Sequence, residues 1–204
     1  MIHMQEIEAK FYVQDLKKIE SRIRELGARL IQPRVLETNI RFDLPDNNLS
    51  SRGRVLRLRQ DTEARLTYKG RGVADQGVVN RTEIEFTVGD FEKAKLFLEA
   101  LGYQRLLEYD KYRTTYELGP CHVMLDELPY GNFVEIEGED IVMIHNIVDQ
   151  LSLDRQAAIS ESYSSLFEKV RRTLNLSFTD LTFDNFHGIN VSPQQLQVRP
   201  ADKM

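Results

Sequence analysis

Polar and apolar residues alternate along most of the first 138 positions. The run Gln5-Glu6-Ile7-Glu8-Ala9-Lys10-Phe11 shows the pattern, and it returns over 38–44, 54–60, 64–69, 81–88, 109–118, 122–128 and 132–137. A period of two predicts strands with two unlike faces. Turn formers separate several runs: Pro45-Asp46-Asn47-Asn48, Gly70-Arg71-Gly72, Leu118-Gly119-Pro120 and Pro129-Tyr130-Gly131. In four places the period lengthens to that of a helix. Leu16, Ile19, Ile23 and Leu26 share one helical face, and Gly27 follows as a stop; Phe91, Ala94, Leu98 and Leu101 do the same before Gly102. A third helix is predicted over 141–151. A fourth carries the stripe Tyr163, Leu166, Phe167, Val170 and Leu174. Residues 1–175 read as one domain. The extension 176–204 has no clear period and is expected to be partly loose.

The order of elements repeats. Glu6-Ile7-Glu8 leads into a helix ending at Leu26-Gly27, and Glu83-Ile84-Glu85 leads into one ending at Leu101-Gly102. Glu135-Ile136-Glu137 again precedes a helix. The recurrence predicts a duplicated unit and a pseudo-twofold closed sheet of the α+β class, with helices packed outside.

Residues of equal parity share a strand face. Glu6, Glu8 and Lys10 share one, as do Arg57 and Arg59, and Arg65, Thr67 and Lys69. Arg81, Glu83 and Glu85 follow, then Lys111, Arg113 and Thr115, then His122, Met124 and Asp126, then Phe133, Glu135 and Glu137, with Arg41 on an earlier strand. Taken strand by strand, this is also the pattern of a sheet with one solvated face. Taken together, the strands point elsewhere. The charged face is dense on nearly every strand, it mixes paired carboxylates with Arg and Lys, and the amphipathic helices need the apolar face. The charges are then expected inside the barrel, where they are costly unless paired and completed by a ligand. Arg and Lys suit phosphate oxygens. Carboxylate pairs without a Cys or His cluster suit Mg²⁺ or Mn²⁺.

Composition narrows the field. Of 204 residues, 41% are hydrophobic and 29% charged, and the formal net charge is −5. That balance argues against nucleic-acid binding by bulk charge, yet allows a local basic pocket. The lone cysteine, Cys121, excludes an internal disulfide framework. The N-terminus shows no secretory pattern, and no apolar run reaches the roughly 18–20 residues a membrane span needs. A cytoplasmic protein with no membrane partner is expected.

Glu6-Ile7-Glu8-Ala9-Lys10 resembles the ExExK signature of the CYTH superfamily. Leu56-Arg57-Leu58-Arg59, Thr67-Tyr68-Lys69, Glu83-Ile84-Glu85, Lys111-Tyr112-Arg113, Leu125-Asp126-Glu127 and Phe133-Val134-Glu135-Ile136-Glu137 resemble its other segments in order, over roughly residues 4–170. Ser162-Tyr163 before a helix is similar to members called class IV adenylyl cyclases. The resemblance implies an eight-stranded triphosphate tunnel. Glu6, Glu8, Glu135 and Glu137 would bind metal. Lys10, Arg57, Arg59, Lys69, Lys111 and Arg113, joined by Arg41 and Arg81, would hold phosphates. Lys111, Arg113 and Asp126 would take the catalytic roles, with Glu83 and Glu85 in support. The leading expectation is conversion of ATP to cyclic AMP and pyrophosphate. The alternatives are a triphosphatase acting on thiamine triphosphate, inorganic triphosphate or nucleotides, and a non-catalytic polyphosphate-binding module. The resemblance also suggests a homodimer. One departure is His3-Met4, where some bacterial cyclases carry His-Phe.

Other residues read more plainly. His122 is expected as a hydrogen-bonded wall residue, Cys121 as core, Tyr163 as helix packing, and Arg171-Arg172 as a solvated face.

Overall fold

The computed structural model describes residues 5–202; His3 and Met4 lie outside them. Nine strands form: β1 (Gln5–Val13), β2 (Arg29–Asp43), β3 (Val55–Gln60), β4 (Ala64–Lys69), β5 (Val73–Asp75), β6 (Val78–Val88), β7 (Gln104–Leu118), β8 (Cys121–Leu128) and β9 (Gly131–Glu137). Among the described residues there are five α-helices, two between strands, α1 (Leu16–Glu25) and α2 (Phe91–Ala100), and three after β9, α3 (Ile141–Gln150), α4 (Tyr163–Leu174) and α5 (Pro193–Leu196). The sheet runs β1-β9-β8-β7-β2-β3-β4-β6, all neighbours antiparallel, and closes where β1 pairs with β6. β5 is an added strand on the edge of β6. The result is a closed eight-stranded α+β barrel.

The duplication is visible in the pairing. β1-α1-β2-β3-β4 and β6-α2-β7-β8-β9 are the two units, and exchanging them maps every neighbour onto another neighbour. The third Glu-Ile-Glu is not a third copy of the first strand. It ends β9, the counterpart of β4.

The helices start and stop by local chemistry. The side chains of Asp15, Asp90, Asp140 and Ser162 accept hydrogen bonds from the backbone N–H groups of Lys18, Lys93, Met143 and Ser165, capping α1, α2, α3 and α4. α1 and α2 end before Gly27 and Gly102, both at positive φ.

Packing then sorts the faces. Ile19 and Ile23 of α1, with Ile144, Ile147 and Val148 of α3, bury Ala9, Phe11, Val123, Leu125, Val134 and Ile136 on the outside of β1, β8 and β9. Each large apolar side chain contributes about 1.5–3 kcal/mol on burial. Cys121 belongs to this core, its sulfur 2.9 Å from where a side chain on Gly138 would begin. On the other half, α2 inserts Leu98 against Ile40, Phe42 and Leu58. On the outer face of β6 the α2 cluster takes in only Val88 at the strand end, and Ile84 and Phe86 stay exposed, so the helices cover less of the apolar face than the alternation predicts.

The C-terminal extension differs from the loose segment expected. Leu181, Phe186 and Leu196 are buried against Leu166, Phe167 and Val170 of α4 and against Tyr130 and Phe133 at the barrel end. The backbone of Leu181 exchanges hydrogen bonds with Glu108 and Asp110, and Ala201 N–H donates to Tyr12 O. The Asp202 carboxylate accepts from the N–H groups of Gln14 and Asp15. Irregularly spaced anchors hold this segment, which is why no period announces it.

Candidate active site

The inward positions of the barrel line a polar cavity of roughly 270 Å³. Lys10, Glu6 and Glu8 come from β1, Arg41 from β2, Arg57 and Arg59 from β3, and Lys69 from β4. Arg81, Glu83 and Glu85 come from β6, Lys111 and Arg113 from β7, Glu135 and Glu137 from β9. Every charged residue expected at the site except Asp126 lines this cavity. Parity places them there because closing the sheet leaves the apolar face to the helices.

The charges neutralise one another in alternating pairs. Glu6 accepts from Lys69 and Arg81, both at 2.6 Å, and Arg81 also donates to Glu8 at 2.8 Å. Lys10 lies 3.2 Å from Glu135, whose other oxygen accepts from Arg113. Glu85 accepts from Arg59 at 3.1 Å, from Arg57 at 3.4 Å and from the Thr67 hydroxyl at 2.7 Å. Lys69 also lies 3.1 Å from Glu83.

Asp126 is fully buried behind this lining. It accepts two hydrogen bonds from Arg113, at 2.6 and 2.5 Å, one from Lys111 at 3.0 Å and one from the Tyr163 hydroxyl at 2.9 Å. Its acceptor capacity is spent on these donors, so it acts through Lys111 and Arg113 and positions them.

Several wall residues were not singled out as site residues in the sequence. Glu37 is buried on β2, with Lys111 at 3.4 Å, Arg59 at 3.6 Å and Arg113 at 3.9 Å. Burial alone would raise its pKa, but Lys111, Arg113, Arg59 and Arg57 draw it down to about 2. The alternation predicts this strand only from Thr38, so Glu37 falls just outside it, although it shares parity with Arg41. Asn39, between them, is fully buried and neither amide atom has a partner among the described residues. The other buried side-chain atoms without a hydrogen bond among the described residues are Glu37 Oε2 and the Nε atoms of Arg41, Arg57 and Arg59. All six atoms lie on inward positions of β2 and β3, the wall that a bound ligand or water would complete. Tyr163 is more than packing: Lys10 Nζ sits 4.3 Å above its ring while its hydroxyl holds Asp126. His122 is exposed and does not line the cavity.

The carboxylates differ in protonation. Burial would raise Glu6, yet Lys69 and Arg81 lower it to about 2. Burial, opposed by Lys69 and reinforced by Glu6, raises Glu83 to about 7. Burial and then the charges of Glu6 and Glu8 raise Glu137 to about 6. The Glu137 carboxylate has no hydrogen bond or ion pair among the described residues. Glu6, Glu8 and Glu137 offer oxygen ligands only, the chemistry that a hard divalent cation takes, and Glu6 and Glu8 are close enough for their charges to raise Glu137. Among the described residues no three such groups converge as a ready-made cage. Arg81 and Lys69 occupy Glu6 and Glu8, and Lys10 and Arg113 occupy Glu135. A cation would have to exchange places with them.

The family model described as the CYTH domain matches residues 4–173. This chain belongs to the CYTH family. The adenylate cyclase CyaB of Aeromonas hydrophila is 29% identical over 175 residues, spanning 83% of this chain and 87% of that protein. A Methanocaldococcus jannaschii relative, provisionally named an adenylate cyclase, is 27% identical over 174 residues, spanning 80% of this chain and 98% of its own length. Among solved structures, a protein from Pyrococcus horikoshii superposes with a TM-score of 0.68 at 25% identity, covering 80% of this chain and 98% of that one. A Hippeastrum protein shares the fold at a TM-score of 0.60 and 17% identity, covering 80% and 95%. The CYTH barrel described here carries no helix long and apolar enough to cross a membrane among its described residues.

Proposed function

We propose that this CYTH protein is a divalent-cation-dependent phosphoryl-transfer enzyme acting on triphosphates. The observation that carries the reading is the dense ring of mutually paired charge around the barrel cavity. Phosphate oxygens would take over Lys10, Arg57, Arg59, Lys69, Arg81, Lys111 and Arg113. The carboxylates so released, Glu6, Glu8 and Glu137 first and Glu135 with them, would hold Mg²⁺ or Mn²⁺. When bound, the cation lowers the pKa of an attacking hydroxyl and offsets charge on the phosphates. Lys111 and Arg113, locked by Asp126 and Tyr163, would meet charge that develops on the phosphoryl oxygens.

The names of the two curated relatives support the cyclase reaction. In it the ribose 3′-oxygen of ATP bonds to the α-phosphorus, the bond to the β-phosphate bridge breaks, and pyrophosphate leaves. The lining itself favours a second reading, hydrolysis of the terminal phosphate. Its aromatic residues are Tyr109 and Tyr163, both buried, and Lys10 sits over the Tyr163 ring, so little aromatic face is left for a nucleobase to stack on. The Hippeastrum protein of the same fold is described as having a dominant triphosphatase activity. Product analysis on ATP, thiamine triphosphate and inorganic triphosphate with Mg²⁺ or Mn²⁺ decides between them. Cyclic AMP with pyrophosphate supports the cyclase, and inorganic phosphate supports the triphosphatase. The absence of turnover on all three would sink the enzyme reading. The exchange of partners also predicts coupling: Mg²⁺ binds the free protein weakly and binds tightly once triphosphate is present. Calorimetric titration showing equal Mg²⁺ affinity in both states contradicts it.

A further inference from the structure

Tyr109 lines the cavity, and the phosphoryl-transfer reading so far gives it no part. It stands on β7 two positions before Lys111 and shares that residue's inward face. Its two ends meet different surroundings. The ring belongs to the apolar cluster at the barrel end, together with Phe133 of β9 and Leu181 and Phe186 of the C-terminal extension. The extension also grips the backbone on either side of it. Leu181 N–H donates to Glu108 O and Asp110 N–H donates to Leu181 O, both at 2.9 Å. The seat of Tyr109 is therefore made in part by a segment beyond residues 4–173, the stretch the CYTH model matches.

The hydroxyl faces charge. It lies beside the Arg57 guanidinium of β3, and Lys111 of its own strand and Glu37 and Arg41 of β2 are near enough to act on it. Tyr130, in the turn before β9, is a further titratable neighbour. Burial raises the pKa of Tyr12, Tyr116, Tyr130 and Tyr163. Burial acts on Tyr109 in the same sense, but the charges of Arg57 and Lys111 outweigh it and draw Tyr109 below the ordinary 10. A phenol in this place offers what a carboxylate does not. Its oxygen accepts and its hydrogen donates. In the empty cavity the oxygen faces Arg57. Once phosphate oxygens occupy Arg57 and Lys111, the hydroxyl is free to rotate its hydrogen toward them, whereas a carboxylate would repel them. Tyr163 has no such freedom, because its hydroxyl is committed to Asp126 at 2.9 Å.

Resting on the triphosphate reading of the tunnel, we propose that Tyr109 is a further substrate-binding residue, which turns its hydroxyl from Arg57 to a phosphate oxygen when triphosphate enters. The Tyr109→Phe variant keeps the ring in its cluster and removes only the hydroxyl, and circular dichroism checks that it folds. Titrated with inorganic triphosphate, it should bind about tenfold more weakly than the wild type, the ratio that one hydrogen bond to a charged group supplies. The Tyr68→Phe variant removes a hydroxyl from the outward face of β4 and should bind as the wild type does. Tyrosinate absorbance through an alkaline titration gives a second readout, one that a packing role alone would not move. The ligand-free wild type should show an early tyrosinate step that Tyr109→Phe lacks, and triphosphate should shift that step to higher pH by adding negative charge beside the phenol. Wild-type affinity in Tyr109→Phe overturns the proposal. So does an equal loss in Tyr68→Phe, or a tyrosinate step that triphosphate leaves in place. Each of those results leaves the triphosphate reading standing. If the wild type itself does not bind triphosphate, that reading falls and the proposal falls with it.

Discussion

Glu37 shows how one carboxylate can govern a cationic wall. Lys111, Arg59 and Arg113 all lie within 3.9 Å of it. Replacing it with Gln leaves three buried cations short of a counter-charge. Breaking such a group by removing one partner costs about 3–5 kcal/mol. The Glu37→Gln variant should therefore melt well below the wild type, and added inorganic triphosphate should stabilise it more than it stabilises the wild type. Thermal melts with and without triphosphate measure both effects; a smaller ligand-induced shift in the variant contradicts the placement. Residue-scale legibility was uneven for a physical reason. Parity is local, so Glu6, Arg57 or Lys111 could be assigned to a face from their neighbours alone. The burial of Asn39, or the retreat of Asp126 behind Arg113, depends on which strands meet across the barrel, and alternation carries no such information.

At the scale of elements, helices and hairpins were legible where capping and period agree. The start of β2 was not. Its pairing with β7 shifts register between Leu30 and Gln32 and again between Gln32 and Val35, around Pro33, and the alternation fails there. The packing of the C-terminal extension is illegible for a related reason, since its anchors follow no period. It seals the barrel end all the same. Deleting residues 176–204 uncovers Leu166, Phe167 and Val170 of α4 and removes the Asp202 contacts that start α1. Because each lost apolar burial is worth about 1.5–3 kcal/mol, the truncated chain should unfold at a much lower urea midpoint or fail to fold. A truncated protein with the wild-type midpoint would show that the extension contributes little.

For the whole molecule, the closed barrel concentrates opposite pKa shifts in one cavity, and stability should follow pH accordingly. Glu83 and Glu137 titrate at about 7 and about 6 when folded, above the ordinary 4.5. The folded state then holds more protons than the unfolded one between those values, so stability falls as pH rises from 4.5 through 7. Glu6 and Glu37 titrate at about 2, below 4.5, so their contribution is present above 4.5 and lost as pH falls toward 2. The ligand-free protein in chelator should be most stable near pH 4.5–5. Urea midpoints measured from pH 3 to 8 test this, and a maximum at or above pH 7 contradicts the arrangement. The fold class was legible because duplication and dense inward charge are both global patterns written in local repeats. The uncovered apolar face of β6 was not, because helix length alone does not say how far a helix reaches across a sheet.

The tight seat of Cys121 against Gly138 has a kinetic consequence. The chain carries a single thiol, it is buried, and burial followed by the Asp140 charge raises its pKa. Reaction with an aromatic disulfide reagent requires β8 to part from the turn after β9, so the modification rate reads how often this side of the barrel opens. Triphosphate with Mg²⁺, by tying β1, β7 and β9 together from inside, should slow that reaction, and a rate indifferent to ligand would mean that the outer layer breathes independently of the tunnel.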